Sequence, residues 1–279
     1  EEKVGGHGAV IKYPGRPKFD DVTIQVGMAM APRFWRWLKK SFSYEAERVD
    51  GSLVALDFDN KERWRRRFTN ALIKEVTFPT LDGAAKEPAY LTVKFAVESL
   101  KEEASGGNQY PSEQQYKDEW ERQRMWLPSM FTFSVDGISK DPAETCKIDS
   151  FTIKQEIIEN PIGRFLENLK EPGRVDFPNL SVTILQRDAD KWMKWWDEFV
   201  RAGNHQQSKQ KNGHISFLGR EAGPRGIITA PPLVTVDIYD IGILGLGPVK
   251  HDSKQAALQK VKLDLYCERM DIDPGTGTV

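Results

Sequence analysis

The chain has 279 residues, with 40 basic side chains against 41 acidic ones and a net charge of −1. That balance supplies no global field for nucleic acid or an acidic membrane surface, and 39% hydrophobic with 29% charged residues is an ordinary globular composition, neither disordered nor fibrous. Two cysteines, Cys146 and Cys267, are too few for a disulfide framework and fit a reducing compartment; no apolar run approaches ~18 residues, and the N-terminus lacks the basic-then-apolar pattern of a signal peptide.

Gly5, Gly6 and Gly8 precede Ala9-Val10-Ile11, a loop and a short strand. A turn at Tyr13-Pro14-Gly15 follows where a phosphate-binding glycine loop needs a helix, which excludes a nucleotide cradle here. Val22, Ile24 and Val26 alternate with polar residues and predict a half-buried strand. Ala31-Pro32 opens a helix with Phe34, Leu38 and Phe42 on one face and Trp35 beside it. Residues 53–58 predict a strand ending in an Asp59-Asn60 turn, and residues 63–69 another, with Trp64 and Phe68 against Arg63, Arg65 and Arg67. Thr69-Asn70-Ala71 breaks the pattern, which resumes at Ile73, Val76 and Phe78; residues 90–97 add an alternating strand. Residues 99–128 predict a linker with a helix at 112–124, where Tyr116 and Trp120 stand at i, i+4. Strands follow at 131–138 and 151–158, then a Pro172-Gly173 turn and a strand through 182–184. A tryptophan-rich helix comes next, with Asp188 or Asp190 as cap and Gly203 as stop. A polar loop at 202–213, three more strands at 214–219, 233–244 and 260–270, and a loose tail complete the chain.

One element occurs twice. Pro14-Gly15-Arg16 answers Pro172-Gly173-Arg174 and Phe19 answers Phe177, both at an offset of 158; Val22-Thr23-Ile24 answers Val182-Thr183-Ile184 at 160, as though two residues were gained between. Trp35 and Trp37 follow in the first copy, and Trp192, Trp195 and Trp196 in the second. An ordered series at a nearly constant spacing marks an internal repeat. It divides the chain into β domains at 1–100 and 128–273, a linker at 101–127 and a tail at 274–279. Five or six strands, one short helix and glycine/proline turns per copy predict a mainly β fold of two tandem small antiparallel barrels or sandwiches.

Chemistry is sparse. His7, His205, His214 and His251 have no partner at metal spacing, so no metal and no cofactor is expected. There is no nucleophile elbow and no catalytic cysteine signature, and Gly219–Gly226 lacks the lysine and hydroxyl of a phosphate loop, which argues against an enzyme. Arg63, Arg65, Arg66 and Arg67 interleaved with Trp64 and Phe68 allow an alternative: a tandem small-barrel nucleic-acid binder using strand 63–68. The plainer reading is a basic strand face matched by acidic groups on a neighbouring subunit. Trp35 and Trp37 point roughly 200° apart on a helix, and Trp195 and Trp196 also cannot share one side, so at least one ring per copy turns away from its own domain's core. Tryptophan is enriched where a partner buries it. The candidate subunit-interface residues are therefore Trp35, Trp37, Trp64, Arg65, Arg67, Trp192, Trp195 and Trp196.

The ordered pattern resembles the tail tube proteins of contractile phages and related injection systems. In the second copy it is carried by Phe133-Ser134-Val135-Asp136-Gly137, Pro172-Gly173, Val182-Thr183-Ile184, Gln186-Arg187 and Trp192/Trp196. In the first it is carried by Gly5-Gly6, Pro14-Gly15, Val22-Thr23-Ile24, Gly27, Trp35/Trp37 and the run from Arg63-Trp64 to Asn70-Ala71. The first copy has no counterpart of residues 130–165. The resemblance implies a non-enzymatic tube, tube-initiator or hub subunit that joins sixfold or pseudo-sixfold rings of three or six chains. Its implied partners are other copies of itself and other tube, sheath or baseplate proteins. It implies assembly in the cytoplasm into a phage or injection-system particle, with nucleic acid only as lumen cargo.

Overall fold

The structure is a computed structural model that describes residues 2–3, 10–11, 17–28, 30–43, 46–110, 126–139, 145–161, 167–219, 232–249 and 258–275. The Pro14-Gly15-Arg16 turn, the helix expected at 112–124, His7 and His251 lie outside the described residues. Among the described residues seventeen strands and two α-helices run in the order β1 (Glu2–Lys3), β2 (Val10–Ile11), β3 (Val22–Val26), α1 (Pro32–Ser41), β4 (Val49–Leu56), β5 (Glu62–Phe78), β6 (Leu81–Asp82), β7 (Leu91–Ala96), β8 (Ser99–Glu103), β9 (Phe131–Val135), β10 (Thr145–Ile148), β11 (Phe151–Asn160), β12 (Leu169–Asp176), β13 (Leu180–Leu185), α2 (Asp190–Trp196), β14 (Lys211–Leu218), β15 (Pro232–Pro248), β16 (Lys260–Tyr266) and β17 (Arg269–Pro274). The fold is mainly β in two units, each with one short helix, as the alternation predicts. Residues 101–110 stay with the first unit: β8 runs to Glu103, and the Tyr110 N–H donates to the Asn60 carbonyl at 2.9 Å.

Among the described residues two large antiparallel sheets carry the structure, apart from the two-stranded β1–β2. One orders β12-β11-β5-β7-β3, with β4 and β8 also on β5; the other orders β6-β10-β13-β16-β15-β14-β9, with β17 also on β15. The repeat is far more exact in hydrogen-bond register than in letters. Leu72 faces Ala96 and Ile73 faces Phe95; after a bulge, Glu75 faces Lys94. Gly242 faces Tyr266 and Ile243 faces Leu265; after a bulge, Gly245 faces Asp264. Every one of those residues has moved by 170 positions. The pairs of β8 with β5 and β17 with β15 keep the same shift, from Arg65–Glu103 to Thr235–Asp273. Both 17-residue strands serve two neighbours in succession, β4 then β7 along β5 and β14 then β16 along β15.

Register also corrects the spacing of the repeat. Val22 faces Phe95, and Leu180 faces Leu265. With β7 and β16 matched at 170, Val22 corresponds to Leu180, an offset of 158 and not 160. The two Val-Thr-Ile strings are therefore slipped by two residues, and no residues were gained before them. A two-residue slip keeps every side chain on its face, so alternation cannot reveal it. Pro172-Gly173 is likewise not a turn but lies inside β12. β12 is an edge strand, where proline's missing N–H costs no ladder bond, and a bulge in β12 itself, with Gly173 and Arg174 opposite the single Glu156, takes up the irregularity. The cap expected at Asp188 or Asp190 is absent: Ala189 stands at the N-cap, preceded by a 3-10 turn at Gln186–Asp188.

The break expected at Asn70 is a bend within one strand. Asn70 has φ 52° and Asp240 has φ 53°, again 170 positions apart. Asp50 Oδ1 accepts the Asn70 N–H at 2.8 Å, and Asn212 Oδ1 accepts that of Asp240 at 3.1 Å. Asn and Asp tolerate the left-handed region, which costs other residues roughly 1–2 kcal/mol. Asn70→Val is expected to lose about 2 kcal/mol in urea unfolding and Asn70→Gly much less. Equal losses would show that backbone strain is not what selects asparagine.

Candidate assembly surface

The two units are joined edge to edge. Phe151 to Lys154 of β11 pair with Phe78 to Glu75 of β5, so a strand from the second half of the chain extends the sheet of the first. In exchange, Leu81 and Asp82 of β6 pair with Ile148 and Lys147 of β10. Phe78 stacks on Phe151 at 4.8 Å and on Phe217 at 5.5 Å, which makes one continuous core across the joint. Polar groups complete it. Thr77 and Thr152 share a hydrogen bond of 2.9 Å, Glu98 Oε1 accepts the Lys170 N–H at 2.7 Å, and Arg48 donates to the Lys170 carbonyl at 3.0 Å.

Four of the candidate tryptophans belong to this interior. Trp35, Trp37, Trp192 and Trp195 are all buried within the chain itself. Trp37 faces its own unit, edge-on to Phe95 at 5.6 Å, and donates from Nε1 to the Glu47 carbonyl. Trp35 shares the other face of α1 with Lys39, one turn on, whose ammonium meets Asp273 of β17. Trp35 is nonetheless fully buried within the chain, on a helix that packs beside β17. Trp192 stacks on Phe133, and Trp195 lies under the Lys211 ammonium at 5.7 Å. Trp196 is half-buried beneath Arg201 at 4.7 Å.

The arginine strand is neutralised from within. Arg63 pairs with Asp57 at 2.7 Å and Arg65 with Glu62 at 2.8 Å, while Arg67 approaches Glu103 at 3.9 Å. Arg66 lies over the Trp64 ring at 4.8 Å, and Trp64 Nε1 donates to Glu102. The acidic partners come from the 57–62 turn and from β8, so the expected match across a subunit boundary is met inside the chain. Glu62 is the centre of this group. It receives two bonds from Arg65 and one each from the Gly106 N–H and Asn108 Nδ2. The Arg65 guanidinium, with these donors behind it, holds the Glu62 carboxyl down at about 2.

Beside α1, a groove of about 680 Å³ is lined by Ile24, Phe34, Trp37, Leu53, Phe68 and Phe95. In the second unit, β9 lies along the corresponding strand β14 and sets Phe133 against Trp192. Among the described residues no strand takes that place on β4.

Among the described residues no side chains form a hydrogen-bonded nucleophile, base and acid series. Ser134, His214 and Asp237 stand in a row across β9, β14 and β15, but Ser134 Oγ is 3.1 Å from both ring nitrogens, and among the described residues no hydrogen bond joins the ring to Asp237. Among the described residues no group of histidine, cysteine and carboxylate side chains has the arrangement of a metal site. Both cysteines are free, and burial pushes the Cys267 thiol up to about 12. Cys267 is therefore expected to react with a thiol reagent at pH 8 at least about tenfold more slowly in native than in urea-unfolded protein. Equal rates would place it at the surface.

These features define a class: a tandem β protein whose units join by strand addition at sheet edges. Residues 1–101 match the family model described as T4-like virus tail tube protein gp19. No curated protein matches the chain. Among solved structures it is similar to a chain of the six-fold symmetrised baseplate of the anti-feeding prophage, with 15% identity over 52% of this chain and 91% of that one and a TM-score of 0.40. It is also similar to a chain of the extended sheath–tube complex of PVC, an extracellular contractile injection system, at 16% identity over 59% and 99% with a TM-score of 0.42. A chain of the tube-terminating cap of the anti-feeding prophage matches at 18% identity over 52% and 88%, with a TM-score of 0.40.

Proposed function

We propose that the chain is a non-enzymatic structural subunit of a phage tail or contractile injection system: a tube, tube-initiator or hub component that assembles into sixfold or pseudo-sixfold rings. The observation that carries this reading is the β5–β11 joint, together with the tail-tube family match of residues 1–101. Each unit extends its neighbour's sheet laterally, which is how a ring of β units removes exposed edges. Two domains meet at the joint, divided in sequence within the stretch expected as a linker at 101–127, of which residues 101–110 belong to the first domain. Other tube, sheath or baseplate proteins are the remaining partners, and nucleic acid enters only as lumen cargo. Trp64 and Trp196, the two candidate rings not buried, are the ones left for contact between chains. The nucleic-acid reading has lost its support, since Arg63, Arg65 and Arg67 are paired with acids of the same chain.

Negative-stain electron microscopy of the purified full-length chain tests the proposal. Rings or stacked rings with a central opening are the expected result. A monodisperse monomer at high concentration would overturn it.

A further inference from the structure

The register of the repeat also equates the two helices. The offset of 158 that carries Val22 onto Leu180 carries Pro32, the first residue of α1, onto Asp190, the first of α2. It also carries buried Trp37 onto buried Trp195. The opposite face differs. Trp35 and Leu38 have no solvent exposure, whereas their equivalents are Met193, 38% exposed, and Trp196, half-buried. Lys39 and Phe42 mark that face of α1 as the one turned toward β17: Lys39 meets Asp273, and Phe42 lines a cavity with Arg269 and Asp271. Charge reverses on both sides of this contact. Lys39 and Lys40 become Asp197 and Glu198. On the receiving sheet Asp237 faces Asp271 across β15 and β17, and 170 positions earlier Arg67 faces Lys101 across β5 and β8. Asp273 becomes Glu103, which lies 3.9 Å from Arg67, so three carboxylates are replaced by two cations and one acid. Like charges directly opposite each other destabilise a sheet. In the second unit Lys39 helps to offset that cost; in the first, Lys101 stays 73% exposed with Glu167 at 3.8 Å.

We infer that the exposed face of α2 docks on the Arg67–Lys101 face of a second copy of the chain, as α1 lies beside Asp271 and Asp273 within one chain. Asp197, now paired with Arg201 of its own turn at 3.1 Å, meets Lys101 there. The aliphatic stems of Arg67 and Lys101 cover Met193 and Trp196. The reversal of sign keeps the two contacts apart. Lys39 brought to Arg67 and Lys101, or Asp197 brought to Asp237 and Asp271, sets like charges together, and such repulsion excludes the wrong partner. The inner contact is thereby reserved for α1 of the same chain, and the outer one selects another chain. This inference rests on the assembly reading above and names the side chains that select the partner.

Two single variants of the full-length chain, Asp197→Lys and Lys101→Glu, and the double variant test it. Sedimentation velocity over a concentration series is expected to show wild type assembling and each single variant weakened at least about tenfold. Their circular dichroism melts are expected to match wild type, since both side chains are exposed. The double variant, which restores opposite signs, is expected to return to within about threefold of wild type. In wild type, hydrogen peroxide is expected to oxidise Met193 at least about tenfold more slowly at assembling than at dissociating concentrations, a measurement that needs no variant. Single variants that assemble as wild type does, a double variant as weak as the singles, or unchanged Met193 oxidation overturns the α2 contact and leaves the assembly reading standing. A wild type that stays monomeric at high concentration overturns the assembly reading and this inference with it.

Discussion

Replacing Trp35 with alanine is expected to lower the unfolding free energy by about 3–5 kcal/mol, whereas Trp64→Ala is expected to cost no more than about 1 kcal/mol. Both were candidates for an exposed interface, and the structure separates them. Trp35 has no solvent exposure, because α1 is covered by its own unit on one side and faces β17 on the other. Removing its indole leaves a cavity that two packed surfaces must close together, and such surfaces relax only in part. Trp64 keeps a solvated face, one hydrogen bond to Glu102 and the Arg66 guanidinium above its ring. A cation–π contact at such a site contributes about 0.5–1 kcal/mol. Urea unfolding followed by far-ultraviolet circular dichroism gives both values without relying on tryptophan emission. A loss below about 1 kcal/mol for Trp35→Ala would mean that α1 is not enclosed between the two units.

Glu62→Gln is expected to flatten the dependence of stability on acid pH and to loosen the 105–110 segment. The folded carboxyl sits at about 2 against an ordinary value of 4.5, so its contribution is fully present above 4.5 and is lost as pH falls toward 2. The cause is local: Arg65 forms a bidentate pair with it, and the Gly106 and Asn108 donors bring the following loop onto it. Glutamine keeps the shape but supplies one neutral acceptor, and it leaves the guanidinium without a counter-charge. Urea midpoints measured between pH 6 and pH 2 should fall more steeply for wild type than for the variant. Parallel curves would show that the carboxylate is not held by Arg65 in solution.

Much of the fold was legible because strands are written locally. The alternation at Val22, Ile24 and Val26 or at Leu263 and Leu265 reports which face is buried, and burial follows it. The tandem organisation was also legible, since matched turns, strands and helices leave matched letters. Register was not. The Val-Thr-Ile strings agree with each other and are still two residues out, because a period of two is indifferent to a shift of two. The Pro172-Gly173 pair reads as a turn anywhere except on an edge strand beside a bulge, and edges are a property of the assembled sheet.

For the candidate site, helix geometry required that Trp35 and Trp37 face opposite ways, and the structure buries both within the chain. What lay on the far side was invisible from the helix, because β17 is more than two hundred residues away in the chain. The arginine strand shows the same limit: four positive charges stand out in the sequence, while Asp57, Glu62 and Glu103 become partners of Arg63, Arg65 and Arg67, and Glu102 of Trp64, only through the β4–β5 turn and the β5–β8 pairing. Sequence by itself determined two β units, most of their strands, the helices α1 and α2, and the resemblance to tail tube proteins, because each rests on patterns a few residues long. Tertiary structure alone decided that β11 completes the first unit's sheet and that, among the described residues, no strand takes the matching edge of β15. Backbone hydrogen bonds across a sheet edge are identical for every residue type except proline, so the choice of partner strand leaves no mark in the letters.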